Sequence, residues 1–324
     1  MASESLAYSM MRVFVNWQRE RRLNKVRERK QAARMATGLL AAGGGGVFYG
    51  GHSLAIRVDG SVACWGDNGY GQAPPAGVPG NFVAIAAGAR HSLALRVDGS
   101  IACWGLNDDG RAPPDGIPGN FVAIAAGPAH SLALRVDGSI ACWGFNNRGQ
   151  APPAGVPGNF VAIAAGNAHS LALRVDGSVA CWGENGFGQA PPAGVPGNFV
   201  AIAAGNSYSL ALRVDGSVAC WGDNGFGQAP PDGVPGNFVA IAAGDNHSLA
   251  LRVDGSIACW GFNDRGQAPP AGVPGNFVAI AAGDNHSLAL RVDGSIACWG
   301  DNEDGQAPPA GVSGPFRVTH ANFL

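Results

Sequence analysis

The chain has 324 residues, of which only 14% are charged, and it contains 51 glycines and 22 prolines. This length is sufficient for one large domain with a sizeable hydrophobic core, and frequent glycine with regularly placed proline is typical of short strands joined by tight turns. Glycine does not recur at every third residue, which excludes a collagen-like fold.

The first 35 residues are basic, whereas the rest of the chain is acidic. They carry nine Lys/Arg against three Glu, and the remainder carries 12 Lys/Arg against 20 Asp/Glu. Met10, Phe14, Trp17 and Leu23 recur near helical spacing, which predicts a helix from about Leu6 to Met35. We therefore expect residues 1–36 to form a helical arm, whose basic stretch comprises Arg19, Arg21, Arg22, Lys25, Arg27, Arg29 and Lys30.

Four interpretations of this basic arm are open. It docks on the acidic remainder of the chain, it contacts the phosphates of a nucleic acid, it lies on an anionic membrane, or it is a solvated extension. No membrane-spanning helix is expected, because the most apolar stretch, residues 6–17, is short and interrupted by Arg12.

An internal repeat dominates the rest of the sequence. The seven cysteines are spaced exactly one unit of 39 residues apart, and each is followed by Trp-Gly; they are Cys64, Cys103, Cys142, Cys181, Cys220, Cys259 and Cys298. The unit reads approximately NFVAIAAGxxHSLALRVDGSxACWGxNxxGQAPPAGVPG. A period of about 40 residues is typical of propellers and other repeat architectures.

Each unit predicts four short antiparallel strands, as the copy at residues 159–197 illustrates. Residues 160–165 form an apolar run, residues 169–175 alternate, and residues 178–182 follow an Asp-Gly hairpin turn. A short fourth strand is expected near Gln189, and because prolines follow it, it belongs at the outer edge of the sheet. The small residues of the first strand suit the innermost position, so the unit predicts a four-stranded propeller blade.

The two ends of the repeat array predict how the ring closes. Residues 43–46 are all glycine in the register of Phe82 to Ile85, so the first blade is expected to lack its first strand. Residues 316–321 fall in the register of a spare first strand. We expect this C-terminal strand to pair with residues 52–58, because closure removes two exposed sheet edges.

Three motifs within the unit resemble the repeat of the regulator-of-chromosome-condensation family. They are Ile-Ala-Ala-Gly-x-x-His-Ser-Leu-Ala-Leu, then Asp-Gly-Ser, then Trp-Gly-x-Asn-x-x-Gly-Gln, and together they cover residues 47–321. The short unit is similar to the compact bacterial members. The resemblance implies an all-β, seven-bladed propeller over residues 37–324, with the helical arm before it. It implies little about function, because one fold hosts many functions.

Nearly all variation among the repeats falls in two loops that the meander places on one face. These are the loop between the first and second strands and the loop after the third strand. Aromatic residues and arginine are favoured in binding hot spots, so we predict a contact surface for another protein at Tyr70, Leu106, Phe145, Arg148, Phe187, Phe226, Phe262 and Arg265. Two alternatives are that the aromatics fold back between blades and that the variation is drift at unconstrained tips.

The repeated histidines and cysteines have structural explanations. A histidine begins each second strand except at Tyr208, and we interpret it as a hydrogen-bonding residue and not as a metal ligand. One cysteine per blade leaves neighbours beyond the roughly 4–7 Å that a disulfide allows between Cα atoms, which favours buried thiols in a reducing compartment. We expect no metal, cofactor or catalytic residue, and a monomeric, cytoplasmic protein, or a nuclear one in a eukaryote.

An enzyme with its site at the mouth of the propeller is the remaining alternative. A single catalytic centre on such a ring requires one blade that departs from the others. Only Tyr208 and Arg111 depart mildly from the consensus, so the sequence favours a non-catalytic interaction scaffold. Association with chromatin or nucleic acid through the basic arm is the alternative function.

Overall fold

The computed structural model describes residues 38–44 and 50–318. These residues form 21 strands in seven separate antiparallel sheets, each a meander of three strands in chain order. The first strands are β1 (Leu40–Gly43), β4 (Phe82–Ala87), β7 (Phe121–Ala126), β10 (Phe160–Ala165), β13 (Phe199–Ala204), β16 (Phe238–Ala243) and β19 (Phe277–Ala282). We number the sheets blades 1 to 7.

The second strands begin at the repeated histidine or Tyr208. They are β2 (His52–Ile56), β5 (His91–Arg96), β8 (His130–Arg135), β11 (His169–Arg174), β14 (Tyr208–Arg213), β17 (His247–Arg252) and β20 (His286–Arg291). The third strands are β3 (Val62–Gly66), β6 (Ile101–Gly105), β9 (Ile140–Gly144), β12 (Val179–Gly183), β15 (Val218–Gly222), β18 (Ile257–Gly261) and β21 (Ile296–Gly300).

The hairpin between the second and third strands forms at the predicted position, but its loop has three residues and not the predicted two. The N–H of Arg174 donates to the Ser178 carbonyl at 2.9 Å, and the N–H of Gly177 donates to the Arg174 carbonyl at 3.0 Å. Gly177 has φ of +84°, a conformation that side chains with a Cβ rarely adopt. The Asp176 carboxylate accepts hydrogen bonds from the backbone N–H and the hydroxyl of Ser178, at 2.8 and 2.7 Å. These bonds close the turn and set the register of β11 against β12.

The first strand is innermost in every blade, as predicted. First strands of successive blades contact one another in a closed ring that runs from β1 through β4 to β19 and back to β1. Leucines of the second strand, such as Leu171 and Leu173, are buried and pack with Phe199 and Ala211 of the next blade. The hydrophobic core therefore lies between neighbouring blades, so each blade depends on both of its neighbours.

The prediction of four strands per blade is wrong, because each sheet has three. The segment near Gln189 is not a strand. After it the chain makes a single antiparallel bridge, from Val195 to Val179, at the outer edge of β12. Two prolines, Pro191 and Pro192, remove the donors that a ladder needs, and the backbone N–H of Gly194 turns back to the Pro191 carbonyl at 2.8 Å.

The prediction that blade 1 lacks its first strand is also wrong. Residues 40–43, Leu-Ala-Ala-Gly, form β1 and pair with residues 52–55 of β2. They repeat the Ile-Ala-Ala-Gly pattern of the other blades, so Gly43, the first of the four glycines, is the last residue of β1 and not the first residue of a missing strand. The error came from counting back a strict 39-residue period across a longer loop.

The C-terminal segment closes the ring over a shorter stretch than expected. Phe316 makes a bridge to Arg57, and the backbone N–H of Arg317 donates to the Ile56 carbonyl at 2.9 Å. The N–H of Ile56 donates to the carbonyl of Leu39 at 3.0 Å. The inner edge of blade 1 is therefore shared between residues 39–43 and residues 316–317, while residues 319–321 of the expected strand lie outside the described residues.

The helical arm expected over residues 6–35 lies outside the described residues as well. The part of the chain that the structure describes contains no helix, and the fold class stands corrected to an all-β ring of three-stranded blades. Accordingly, no described helix has the length and apolar character needed to cross a membrane.

A repeated hydrogen-bond network joins each blade to the next. Between blades 4 and 5, Ser209 Oγ and Trp221 Nε1 both donate to the Gln189 carbonyl at 2.9 Å. The only hydroxyl proton of Ser209 is used in this bond, so Ser209 accepts from His169 Nε2–H, also at 2.9 Å. The structural role predicted for the histidines is confirmed.

The same network crosses the seam between blades 7 and 1. His286 Nε2 lies 2.9 Å from Ser53 Oγ, and Trp65 Nε1 donates to the Gln306 carbonyl at 2.9 Å. The seam is therefore held by the same histidine–serine bond as five of the six other blade boundaries, while Tyr208 replaces the histidine between blades 5 and 6.

Candidate interaction face

One end of the propeller carries the loops that differ among repeats. We call it the variable face; in each blade it comprises the loop between the first and second strands and the turn after the third strand. In blade 4 these are residues 166–168 and 184–188. The opposite face carries the Asp-Gly hairpins and the links between blades.

The turn after the third strand combines a constant frame with a variable tip. In blade 4 the Asn185 side-chain oxygen accepts from the Ala190 N–H at 2.8 Å, and Gln189 Oε1 accepts from the Phe187 N–H at 2.9 Å. The asparagine bond recurs in all seven blades. The glutamine bond holds a different tip residue in six blades, Tyr70, Arg148, Phe187, Phe226, Arg265 and Asp304.

Four of the predicted contact residues are exposed aromatics. The exposed fractions are 46% for Tyr70, 37% for Phe145, 63% for Phe187 and 53% for Phe226. Leu106 and Phe262 are half-buried, and Arg148 and Arg265 are exposed. All eight lie in the turns that follow third strands, on the variable face.

Several of these residues contact the neighbouring blade. Phe226 meets Phe262 edge to face, with ring centroids 4.9 Å apart. Arg148 Nε lies 3.2 Å from Glu184 Oε2, and Arg265 pairs with Asp301 at 3.2 Å and with Glu303. Side chains of successive blades therefore contact one another across the variable face.

Tyr70 is covered on one side by an arginine that the sequence did not single out as a contact residue. The Arg90 guanidinium lies 4.7 Å from the centroid of the Tyr70 ring, a distance typical of cation–π contacts. Arg90 belongs to the loop between the first and second strands of blade 2. The sequence could show that Arg90 lies at a position that varies among the repeats. Its contact with Tyr70 depends on how blades 1 and 2 are placed, which the sequence does not show.

The turn after the third strand of blade 2 differs from those of the other blades, because Arg111 replaces the glutamine that holds the tip residue. Its guanidinium pairs with Asp109 and donates to the Pro128 carbonyl at 3.3 Å.

Tyr208, the other departure from the consensus, keeps the contact between blades. Its hydroxyl donates to the His247 carbonyl at 2.5 Å and lies 3.0 Å from Ser248 Oγ. Burial raises the pKa of Tyr208, so the phenol stays neutral.

Negative charge is concentrated on the variable face. Among the described residues, eleven carboxylates lie there against four arginines; the carboxylates are Asp67, Asp108, Asp109, Glu184, Asp223, Asp245, Asp264, Asp284, Asp301, Glu303 and Asp304, and the arginines are Arg90, Arg111, Arg148 and Arg265. On the opposite face nine carboxylates meet eight arginines. The net negative charge of the propeller therefore lies almost entirely on the face that varies.

The axis opens on this face at a small polar rim. Asn167 Nδ2 donates to Asn206 Oδ1 at 2.8 Å, and the following blades contribute Asp245 and Asp284. Burial raises the pKa of Asp245 to about 6, while a hydrogen bond with Asp284 acts in the opposite direction. Within the described ranges, no three His, Cys, Asp or Glu side chains converge as a metal site.

The sequence comparison with family models identifies the repeat. The model of the regulator of chromosome condensation (RCC1) repeat matches residues 47–72, 82–111, 121–150, 160–189, 199–228, 238–267 and 277–306. The chain belongs to the RCC1 repeat family. From blade 2 onward, each matched segment of this RCC1-repeat propeller contains all three strands and both loops of the variable face. No curated protein sequence matches the chain.

Solved structures of similar fold include two plant receptor ectodomains. The CRINKLY WD40 ectodomain of the Arabidopsis thaliana receptor kinase ACR4 is 23% identical, with a TM-score of 0.67, covering 84% of this chain and 98% of that one. The entire ectodomain of the Physcomitrella patens receptor kinase CR4 is 25% identical, with a TM-score of 0.67 and coverages of 81% and 73%. A third is yeast RCC1 (Prp20), crystallised with Kap60; the match is 25% identical, with a TM-score of 0.60 and coverages of 74% and 75%.

Proposed function

We propose that this RCC1-repeat propeller is a non-catalytic scaffold that binds another protein through its variable face. The observation that carries the proposal is the set of exposed aromatic tips on turns of constant geometry, which a partner can contact without reordering the turn. Family membership supports it, because a solved relative of this fold, yeast RCC1 (Prp20), has been crystallised with Kap60 bound.

The charge of the variable face defines the chemistry of the partner. Eleven carboxylates against four arginines favour a surface rich in lysine and arginine. The exposed aromatics supply apolar contact area of the kind found at hot spots. We therefore expect a basic protein surface that also presents apolar or aromatic side chains.

The test replaces Tyr70, Phe145, Phe187 and Phe226 with Ser together and compares affinity capture from a lysate. These side chains are 37–63% exposed, so the variant should fold, which its thermal unfolding checks. We expect it to lose at least one protein that the unaltered chain captures. That protein should elute from the unaltered chain as salt is raised, because surface charge pairs are screened.

A matched control replaces four exposed valines on the opposite face, Val136, Val175, Val214 and Val292, with Ser. They are 60–72% exposed, so the control removes a similar amount of apolar surface from the other end. Capture by the control should equal that by the unaltered chain. If the aromatic variant folds and keeps every captured protein, the variable face is not the binding surface.

A further inference from the structure

Three of the turns on the variable face share a short sequence that the other turns lack. In blades 1, 4 and 5 the residues after Trp-Gly read acid–Asn–Gly–aromatic, at positions 67–70, 184–187 and 223–226. We call these three the Asn-Gly turns, and their asparagines and glycines are exposed. In the other four blades the equivalent asparagine is followed by a larger residue, Asp108, Asn147, Asp264 or Glu303.

The backbone of the Asn-Gly turns does not require their glycine. Gly225 does not have a positive φ, and a Cβ placed there would lie 3.5 Å from Asp223 Oδ1, which is an ordinary contact. The other four blades form the same turn with a side chain at this position. The glycine therefore leaves the peptide nitrogen next to the asparagine unshielded, although the turn conformation does not call for it.

An asparagine followed by glycine has a reaction of its own. The glycine nitrogen attacks the asparagine Cγ, so that a Cγ–N bond forms, the Cγ–Nδ2 bond breaks, and ammonia leaves with the proton from the glycine nitrogen. Water then opens the cyclic imide at either carbonyl and gives aspartate or isoaspartate. The attack is helped by a base at the glycine N–H and by a hydrogen-bond donor at the asparagine oxygen, where negative charge develops.

The Asn-Gly turns hold both of these groups in place. In blade 1 the Gly69 N–H donates to Asp67 Oδ1 at 2.9 Å, and the equivalent bonds in blades 4 and 5 are 3.1 Å long. These lengths are within the reach of a general base. The side-chain oxygen of Asn68 accepts from the Ala73 N–H at 2.9 Å. A carboxylate, an unshielded nitrogen and a polarised amide are therefore neighbours in one turn.

We propose that Asn68, Asn185 and Asn224 are sites of spontaneous modification, at which the glycine nitrogen displaces the side-chain amide and the adjacent carboxylate takes up the proton. Blade 7 has the carboxylate without the glycine, and blades 2, 3 and 6 have neither. Modification is therefore confined to blades 1, 4 and 5. This assignment does not depend on the proposed function.

Modification changes the variable face in charge and in shape. Each event replaces an amide with a carboxylate, on a face that already carries eleven carboxylates against four arginines. Isoaspartate also moves the backbone carbonyl of its residue out of the main chain. In blade 1 that carbonyl, of Asn68, accepts from the Gly71 N–H at 3.0 Å, so the turn that positions Tyr70 is lost.

Site mapping in the full chain tests the assignment, with the other turns as controls in the same molecule. After incubation at neutral pH, peptide mass mapping and enzymatic methylation of isoaspartate should detect products at Asn68, Asn185 and Asn224, relative to a sample that was not incubated. The equivalent asparagines of blades 2, 3, 6 and 7 should remain unmodified. Equal modification in all seven blades, or none in blades 1, 4 and 5, overturns the proposal.

Two substitutions in blade 5 test the mechanism. Asp223→Asn keeps an acceptor for the Gly225 N–H but takes up no proton, so the modification of Asn224 should slow several-fold. Gly225→Ala should also slow it, because the added methyl group shields the nitrogen. The Asn-Gly turns of blades 1 and 4 should react at their original rates in both variants, which provides an internal reference for each sample.

Unfolding separates the contribution of the turn from that of the local sequence. In urea the chain does not hold the carboxylate against the Gly225 N–H, so Asp223→Asn should leave the rate at Asn224 unchanged there. An undiminished rate at Asn224 in the folded Asp223→Asn variant overturns the role of the carboxylate. Equal slowing in the folded and unfolded chains also overturns it, because the turn geometry then contributes nothing.

Discussion

The histidine that begins a second strand is buried and uncharged in six blades. Burial lowers the pKa of His52 and His169 to about 4 and that of His91 and His130 to about 3. Its Nε2–H is committed to a serine of the next blade, and Nδ1 has no hydrogen-bond partner among the described residues in most blades. Protonation would therefore bury a charge without a compensating acceptor.

Acid should unfold the protein through these histidines. Below pH 6.5 the unfolded chain takes up protons that the folded chain excludes until about pH 3 to 4. Stability is therefore complete above pH 6.5 and falls with decreasing pH, by up to about 1.4 kcal/mol per pH unit for each histidine. Urea unfolding at pH 7.5, 6.5, 5.5 and 4.5, which covers the onset and the upper part of that window, measures the slope.

Blade 5 supplies the control for this prediction. His169→Tyr copies Tyr208, which keeps its contact with the serine of the next blade without a group that titrates near neutral pH. The variant should lose stability less steeply with decreasing pH, by about one proton in the slope. Equal slopes would show that the histidines do not control acid unfolding.

The strands of a blade are determined by local sequence patterns, namely apolar alternation and turn residues. Most of the blade could therefore be predicted from the sequence. The alternation of residues 169–175 and the Asp176-Gly177 turn identify β11, β12 and their register. The fourth strand was mispredicted because Pro191 and Pro192 deny the ladder its donors, leaving one bridge at Val195. The exposure of Phe187 followed from its place in a variable turn, whereas contacts such as Arg90 with Tyr70 depend on the angle between blades.

A glycine follows each first strand because the inner end of the blade has no room for a side chain. A Cβ at Gly166 would lie 2.3 Å from His169 Cε1 and 2.6 Å from the Gly205 carbonyl. Gly166→Ala should destabilise by about 3 kcal/mol, since the ring and the backbone are both held in place. Urea denaturation checks the loss.

Gly188→Ala is the matched control for that substitution. Gly188 has φ of +81°, and nothing lies within 4 Å of a Cβ placed there. It should cost roughly 1–2 kcal/mol from the strained backbone alone. If Gly188→Ala proves the more costly of the two, close packing at the axis does not explain the glycine ring.

Ring closure is a property of the whole molecule. The sequence predicted that the ring closes at blade 1, but not that two segments share the inner edge of that blade. The strict period placed Phe316 correctly against the second strand of blade 1. It missed β1, because a longer loop before His52 shifts Leu-Ala-Ala-Gly out of the period. The extra residues between β1 and β2 change their spacing in the sequence, although β1 still pairs with β2. A count of residues therefore could not locate β1.

Phe316 should be essential to the ring. It is 4% exposed, and its ring centroid lies 6.5 Å from that of Trp65. Phe316→Ala should cost about 3–5 kcal/mol, a large part of the roughly 5–15 kcal/mol that stabilises a typical protein. Phe145→Ala, at a side chain 37% exposed, should cost far less, and similar urea midpoints for the two variants would contradict the role of Phe316.

The shared inner edge of blade 1 has a consequence for the two ends of the repeat array. The Ile56 N–H donates to the Leu39 carbonyl, and the Ile56 carbonyl accepts from the Arg317 N–H, so a single residue holds both ends. A substitution that displaces the backbone of Ile56 therefore loosens the beginning and the end of the array together.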